Sequence, residues 1–206
     1  MIPRTRRLAG LFLAILVLGL VARAAVAGAP STVIEDLNAK FLEAMKGGPT
    51  LGFDGRYKLL EPTLDAAFNF ADMARVSTGR YWKDFSDDQK TRLVAAFRDY
   101  SISNYASQFK DFSGEKFEVL DEQASQQNAV RVNSQIVKGD GEAVRIDYLL
   151  QPADDHFRII DIFLESSISQ LAVRRSEFRS VLASGGGDGL IAALKDKSAQ
   201  LTKDGQ

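Results

Sequence analysis

The chain contains no cysteine and a single histidine, His156. Without thiols, thiol nucleophiles, cysteine-ligated metals and a disulfide-stapled scaffold are all excluded. One histidine cannot build a His-rich metal site, and its place beside the Asp154-Asp155 turn suits a solvated strand start. No glycine-rich loop leads from a strand into a helix in the pattern that cradles phosphates. Gly185-Gly186-Gly187 follows a helical stretch and reads as a helix stop. No serine sits in a nucleophile elbow. Carboxylates are plentiful, so an enzyme built on an acid/base carboxylate stays open.

The first residues read as an address. Arg4, Arg6 and Arg7 form a basic start, residues 8–21 are an apolar run, and Ala25-Val26-Ala27 supplies small residues for cleavage. The run is shorter than the roughly 20 residues that span a bilayer, and Arg23 interrupts it. A cleaved export signal over residues 1–27 is expected, followed by one domain over 28–206. Removing the four arginines of that segment moves the charge balance from 26 − 27 = −1 to 22 − 27 = −5. A mildly acidic domain has no general affinity for nucleic acid or anionic membrane. With no cysteine, its stability must come from an ordinary core.

Helical signals come first. Thr32 and Glu35 are spaced as a capping box, with Ile34, Leu37, Phe41 and Met45 at helical spacing behind them and Gly47-Gly48-Pro49 as a stop. A short helix is expected near 57–64, and another enters at Phe68 and stops at Gly79. Ser86 and Gln89 form a second capping box opening the longest helix, to about residue 109. Its apolar residues change face at 101–103, so it either kinks there or is buried on two sides. Four strands follow, at 117–125, 130–138, 142–151 and 156–165, joined by hairpin turns into an antiparallel meander. Two helices close the chain, one capped by Ser169, one starting near Asp188 after the glycine break, and the tail beyond Lys203 is expected to be disordered.

The strand at 156–165 organises this layout. At period two, Phe157, Ile159, Asp161 and Phe163 share one side, and Ile160, Ile162 and Leu164 the other. Apolar on both sides, it should be central, with helices against one face and helices or an apolar ligand against the other. The expected class is α+β: a four-stranded antiparallel sheet with about six helices around an apolar pocket. Asp161 lies mid-strand and needs a partner, for which Arg175, on the apolar stripe of the next helix, is the candidate, with Arg174 beside it. Such an arginine is either a structural ion pair or a contact to a headgroup or partner at a pocket mouth. Phe68, Phe70, Met73, Tyr81, Trp82 and Phe85 are either core or one wall of that pocket.

Several stretches taken in order resemble a known family. These are Phe70-Ala71-Asp72-Met73-Ala74-Arg75, Gly79-Arg80-Tyr81-Trp82, Gln89, Ala96-Phe97-Arg98, Tyr105-Ala106, Gly141-Glu142, Asp161, the run from Ser169 to Phe178, and Gly189-Leu190-Ile191. Together they resemble the MlaC (toluene-tolerance auxiliary) family, across nearly the whole chain after residue 27. The run from Ile168 to Phe178 is especially similar to the hopanoid-associated branch called HpnM. Two departures stand out: Phe157 replaces the usual tryptophan early in the last strand, and Ser166-Ser167 replaces the usual glycine after that strand's acid.

The resemblance implies a periplasmic, non-catalytic lipid carrier without a cofactor, acting as a monomer. It would shuttle phospholipid or hopanoid between an inner-membrane ABC transporter and an outer-membrane lipoprotein. The expected pocket walls are Met73, Val76, Trp82, Phe97, Tyr105, Val132, Ile146, Tyr148, Ile160, Ile162 and Leu164, with Arg174 and Arg175 at the headgroup or at a partner. The physics of such a task is simple. Each methylene exposed to water opposes transfer by about 0.8 kcal/mol, so burying roughly ten removes about 8 kcal/mol. Two other readings stay open: a small α+β enzyme using Asp161 as acid/base, and a protein-binding assembly factor that holds no lipid.

Overall fold

The computed structural model describes residues 28–154 and 156–205. The segment expected to be an export signal lies outside the described residues. Four helices and five strands follow in the order α1 (Pro30–Ala67), α2 (Phe70–Thr78), α3 (Asp87–Gln108), β1 (Lys116–Ala124), β2 (Val130–Val137), β3 (Ala143–Ala153), β4 (His156–Leu164), β5 (Ile168–Ser169) and α4 (Gln170–Asp204). The strands form one antiparallel sheet in sequence order. The helices pack over one face of it, which confirms the α+β class.

The helix count differs from six because α1 and α4 are each continuous across a break. In α1 the break is Gly52, at φ 60° and ψ −176°, and Gly47-Gly48-Pro49 lies inside the helix. Gly48 does not stop the helix; a Cβ there would sit 1.7 Å from the Lys110 carbonyl oxygen, so the glycine admits a neighbouring backbone. In α4 the break is Gly186, at φ 59°, within the expected glycine run. Asp188 turns its carboxylate to Gln89 Nε2 at 2.8 Å and to Arg92 at 2.8 Å, tying α4 to the start of α3.

The helix starts mix expected and unexpected devices. Ser86 and Gln89 form the reciprocal capping box, and the Ser169 hydroxyl accepts from the Ala172 N–H. Thr32 is not a cap: α1 begins at Pro30, whose ring presets the first turn, and the Ser31 N–H donates instead to Glu122 of β1 at 2.7 Å. The helix α3 runs without a kink and is buried on two sides. Leu93, Ala96, Phe97 and Tyr100 are buried in its first half, and Ile102, Ser103 and Ala106 in its second.

The sheet corrects the reading of its own central strand. Across β3 and β4, Leu150 pairs with Ile159 and Leu149 with Asp161, leaving Ile160 as an extra residue. This bulge flips the alternation. Ile159, Ile162 and Leu164 therefore sit opposite Leu150, Tyr148 and Ile146 on the face toward the helices, while Asp161 and Phe163 turn away. The Arg131 guanidinium lies 4.3 Å above the Phe163 ring and 3.3 Å from Asp147, which is only 1% exposed. β4 is also flanked by a fifth, two-residue strand that no pattern in the sequence announced.

One buried cation joins distant parts of the fold. Arg56 is 3% exposed and donates to three backbone carbonyls: Gly48 at 2.8 Å, Ala106 at 2.8 Å and Gly205 at 3.0 Å. These lie just before the α1 break, in the last turn of α3 and at the end of α4. Residues 204 and 205 are therefore ordered, not a loose tail. Burial lowers the pKa of this guanidinium, and Asp111 opposes the shift.

Two outcomes follow. Arg56→Met leaves three helix-end carbonyls without their donor and should destabilise the fold by about 3 kcal/mol or more, lowering Tm by roughly 6–12 °C in thermal unfolding. Ser166 holds φ 57° where the resemblance expects glycine. Ser166→Gly should raise stability by about 1 kcal/mol, read as a Tm increase of roughly 2–4 °C.

Candidate functional site

Between α3, the inner sheet face and the first turn of α4 lies a cavity of about 190 Å³. Its floor is made by the pairs that the bulge sets in register, Ile146 with Leu164 and Tyr148 with Ile162. Phe97 and Tyr105 come from α3, Met73 from α2 and Leu171 from α4. One end is closed by stacked rings: Phe41 lies 5.0 Å from Tyr105 and 4.2 Å from Phe109. The wall is mostly hydrocarbon, with a flexible thioether in it.

The polar groups of the lining come from two helices. Ser101, Asn104 and Gln108 recur along α3, and Gln170 and Arg174 come from α4. The Arg174 guanidinium lies 5.0 Å from the Tyr100 ring centre and 2.9 Å from Glu177. Ser101 donates to the Phe97 carbonyl at 2.7 Å. Besides Tyr100, two further phenols line the space, Tyr105 and Tyr148. Desolvation pushes both phenol pKa values up, with Tyr148 adding to the shift of Tyr105 and Arg174 opposing it. Both therefore stay neutral hydrogen-bond donors at physiological pH.

The structure brings together most of the residues expected from the sequence. Met73, Phe97, Tyr105, Ile146, Tyr148, Ile162 and Leu164 line the cavity, and Arg174 lies at it. Others do not. Val132 is fully buried in the core, and Val76 packs against that core from α2. Trp82 packs edge-on to Phe85, 6.2 Å away, in the turn after α2. Ile160 is the bulged residue and leaves the wall. Arg175 lies against Gly79, in a separate cleft.

Among the described residues Asp161 has no arginine partner. Its carboxylate accepts from the Ser169 hydroxyl at 2.6 Å, the Leu171 N–H at 3.2 Å and the Ile162 N–H at 2.7 Å. It thus anchors the entry into α4, and the lining of the cavity includes no carboxylate among the described residues. An Asp161 acid/base inside the pocket is overturned by this geometry. Missed from the sequence were Phe41, Tyr100, Phe109 and Leu171, read as ordinary core or not singled out. The polar stripe Ser101, Asn104, Gln108 was also missed, although its i, i+3, i+7 spacing beside an apolar stripe was a usable signal.

The family model for the MlaC protein matches residues 35–196. The chain belongs to the MlaC family. Among solved structures, a phospholipid-binding protein from Ralstonia solanacearum, in complex with a phospholipid at 1.53 Å resolution, is similar with a TM-score of 0.73 and 20% identity. The likeness covers 84% of this chain and 99% of that one. It shows that the MlaC family fold is shared nearly end to end.

Asp161→Ala should lower Tm by roughly 4–8 °C, about 2 kcal/mol, through loss of the acceptor at the start of α4. The raised phenols give a pH dependence of known sign. The folded chain holds these protons more tightly than the unfolded chain, so their stabilising contribution is complete below pH about 10 and is lost as pH rises further. Denaturant unfolding across that range should show a shallower loss in a Tyr105→Phe, Tyr148→Phe double variant.

Proposed function

We propose that this chain is a non-catalytic carrier that binds a phospholipid or hopanoid and moves it between the inner and outer membranes. The observation that carries the reading is the cavity itself: a hydrocarbon wall with amides and one guanidinium among its lining, in a chain of the MlaC family. The phospholipid bound by the Ralstonia protein supports the same cargo class. The similarity of residues 168–178 to the HpnM branch supports a hopanoid as the alternative cargo. The basic, apolar and small-residue pattern of residues 1–27 supports export to the periplasm. An inner-membrane transporter and an outer-membrane lipoprotein are the partners the family suggests.

Size sets a condition on this reading. Pockets for drug-sized ligands run to roughly 300–1,000 Å³, and a dry engineered cavity of about 150 Å³ holds a benzene. The space of about 190 Å³ therefore admits a short stretch of hydrocarbon as it stands. A full acyl chain or ring system requires the side chains of α3 and Met73 to move outward from the sheet. Tyr105 and Tyr148, neutral and inside the lining, are placed to donate to ester or hydroxyl oxygens.

Native mass spectrometry of the exported protein, with organic extraction of what it carries, tests this directly. Lipid released in near-stoichiometric amount is the expected result. Ile162→Trp fills the floor and should reduce bound lipid at least tenfold, while overpacking costs about 1–3 kcal/mol and leaves the chain folded. Unchanged lipid content in that variant, or no lipid in the wild type, would remove the reading.

A further inference from the structure

A second cleft, of about 340 Å³, lies on the other side of α4 and shares no lining residue with the cavity. It is bounded by Thr78, Arg80, Tyr81, Arg175, Arg179 and Leu182. Successive residues of α4 thus serve different places: Arg174 lines the cavity and Arg175 the cleft. From this arrangement we infer that Arg80, Arg175 and Arg179 form a binding site for a phosphoryl group, one that does not depend on the contents of the cavity.

Three observations carry this. First, the charges are uncompensated. Arg75, Arg92, Arg98, Arg131 and Arg174 each meet a carboxylate. Arg80, Arg175 and Arg179 meet none among the described residues, in a chain where acids outnumber basic residues by 27 to 26. The nearest acid along α4, Glu177, is already paired with Arg174 at 2.9 Å. Arg175 and Arg179 stand one helical turn apart, a like-charge spacing that opposes the helix.

Second, the cleft is shaped around a guanidinium. Gly79 has φ 58°, and a Cβ there would lie 2.7 Å from Nε and 2.9 Å from Cζ and Nη2 of Arg175. The turn backbone therefore lies against the arginine head, at a positive φ that favours glycine. On the neighbouring position Arg80 sits 5.3 Å from the Tyr81 ring centre, so a second guanidinium is held by an aromatic face. Third, the donor set has a matching acceptor. A guanidinium presents a planar fork of N–H donors that matches two oxygens of a phosphoryl group, and three of them border this one cleft.

The phosphoryl group has two sources, a soluble phosphate ester or an anionic lipid headgroup at a membrane surface. Calorimetric titration of the full exported chain with inorganic phosphate and glycerol 3-phosphate probes the first. Flotation with phosphatidylcholine vesicles, with and without phosphatidic acid, probes the second. Saturable binding in either assay is expected, weakened about tenfold for each of Arg80→Gln, Arg175→Gln and Arg179→Gln and abolished in the triple variant. All three side chains are exposed, so Tm should not change. Arg92→Gln, which removes a paired arginine elsewhere, should leave binding intact. Binding in solution alone identifies a soluble ester, and flotation alone a lipid surface. The inference is overturned if the wild type binds neither probe, or if the triple variant binds as the wild type does.

Discussion

The architecture turns on one guanidinium buried where three helices end. Helix ends leave carbonyls without intrahelical donors and carry a partial negative charge. In this chain the ends of the first half of α1, of α3 and of α4 converge, and Arg56 donates to one carbonyl from each. A buried cation is tolerated only when its donors are satisfied, and three strong acceptors meet that demand. The same contact orders the last residues of the chain, because Gly205 supplies one of the carbonyls.

This places α3 under restraint at both ends. Its start is tied to α4 through Gln89 and Arg92 to Asp188. Its last turn is held by Arg56, and Arg98 fixes its middle to Glu61 and Asp65 of α1. Between these anchors α3 gives Phe97 and Tyr105 to the cavity wall. Among the described residues the side-chain hydrogen bonds that hold this wall run to α1 and α4, and only apolar packing faces the sheet opposite.

Much of this was legible in the chain. The four long strands, their hairpins, the Ser86 box, the Ser169 cap and the glycine break of α4 follow from local rules. The inward set Ile146, Tyr148, Ile162 and Leu164 was also readable, since β-pairing places alternate residues on one face. Where the reading failed, the cause was non-local. The Ile160 bulge brought Ile159 to the face of Ile162 and Leu164, and no period-two count can see an extra residue opposite a partner strand. Gly48 looked like a helix stop because its real reason, the backbone at residue 110, is far away in sequence. Arg175 looked like the partner of Asp161 because helical stripes give direction but not which neighbour a long side chain will meet.

Local chemistry in the sequence, then, determined which segments became helices and strands and how most turns are made, because propensity, capping and alternation act over a few residues. It also limited the catalytic repertoire through the missing thiols and the solitary imidazole. Only the tertiary structure decided which apolar residues enclose space and which fill it, which arginines find acids, and which carboxylate is already engaged. Those outcomes depend on the approach of segments tens of residues apart, and distance in space, not order along the chain, sets the strength of packing and charge.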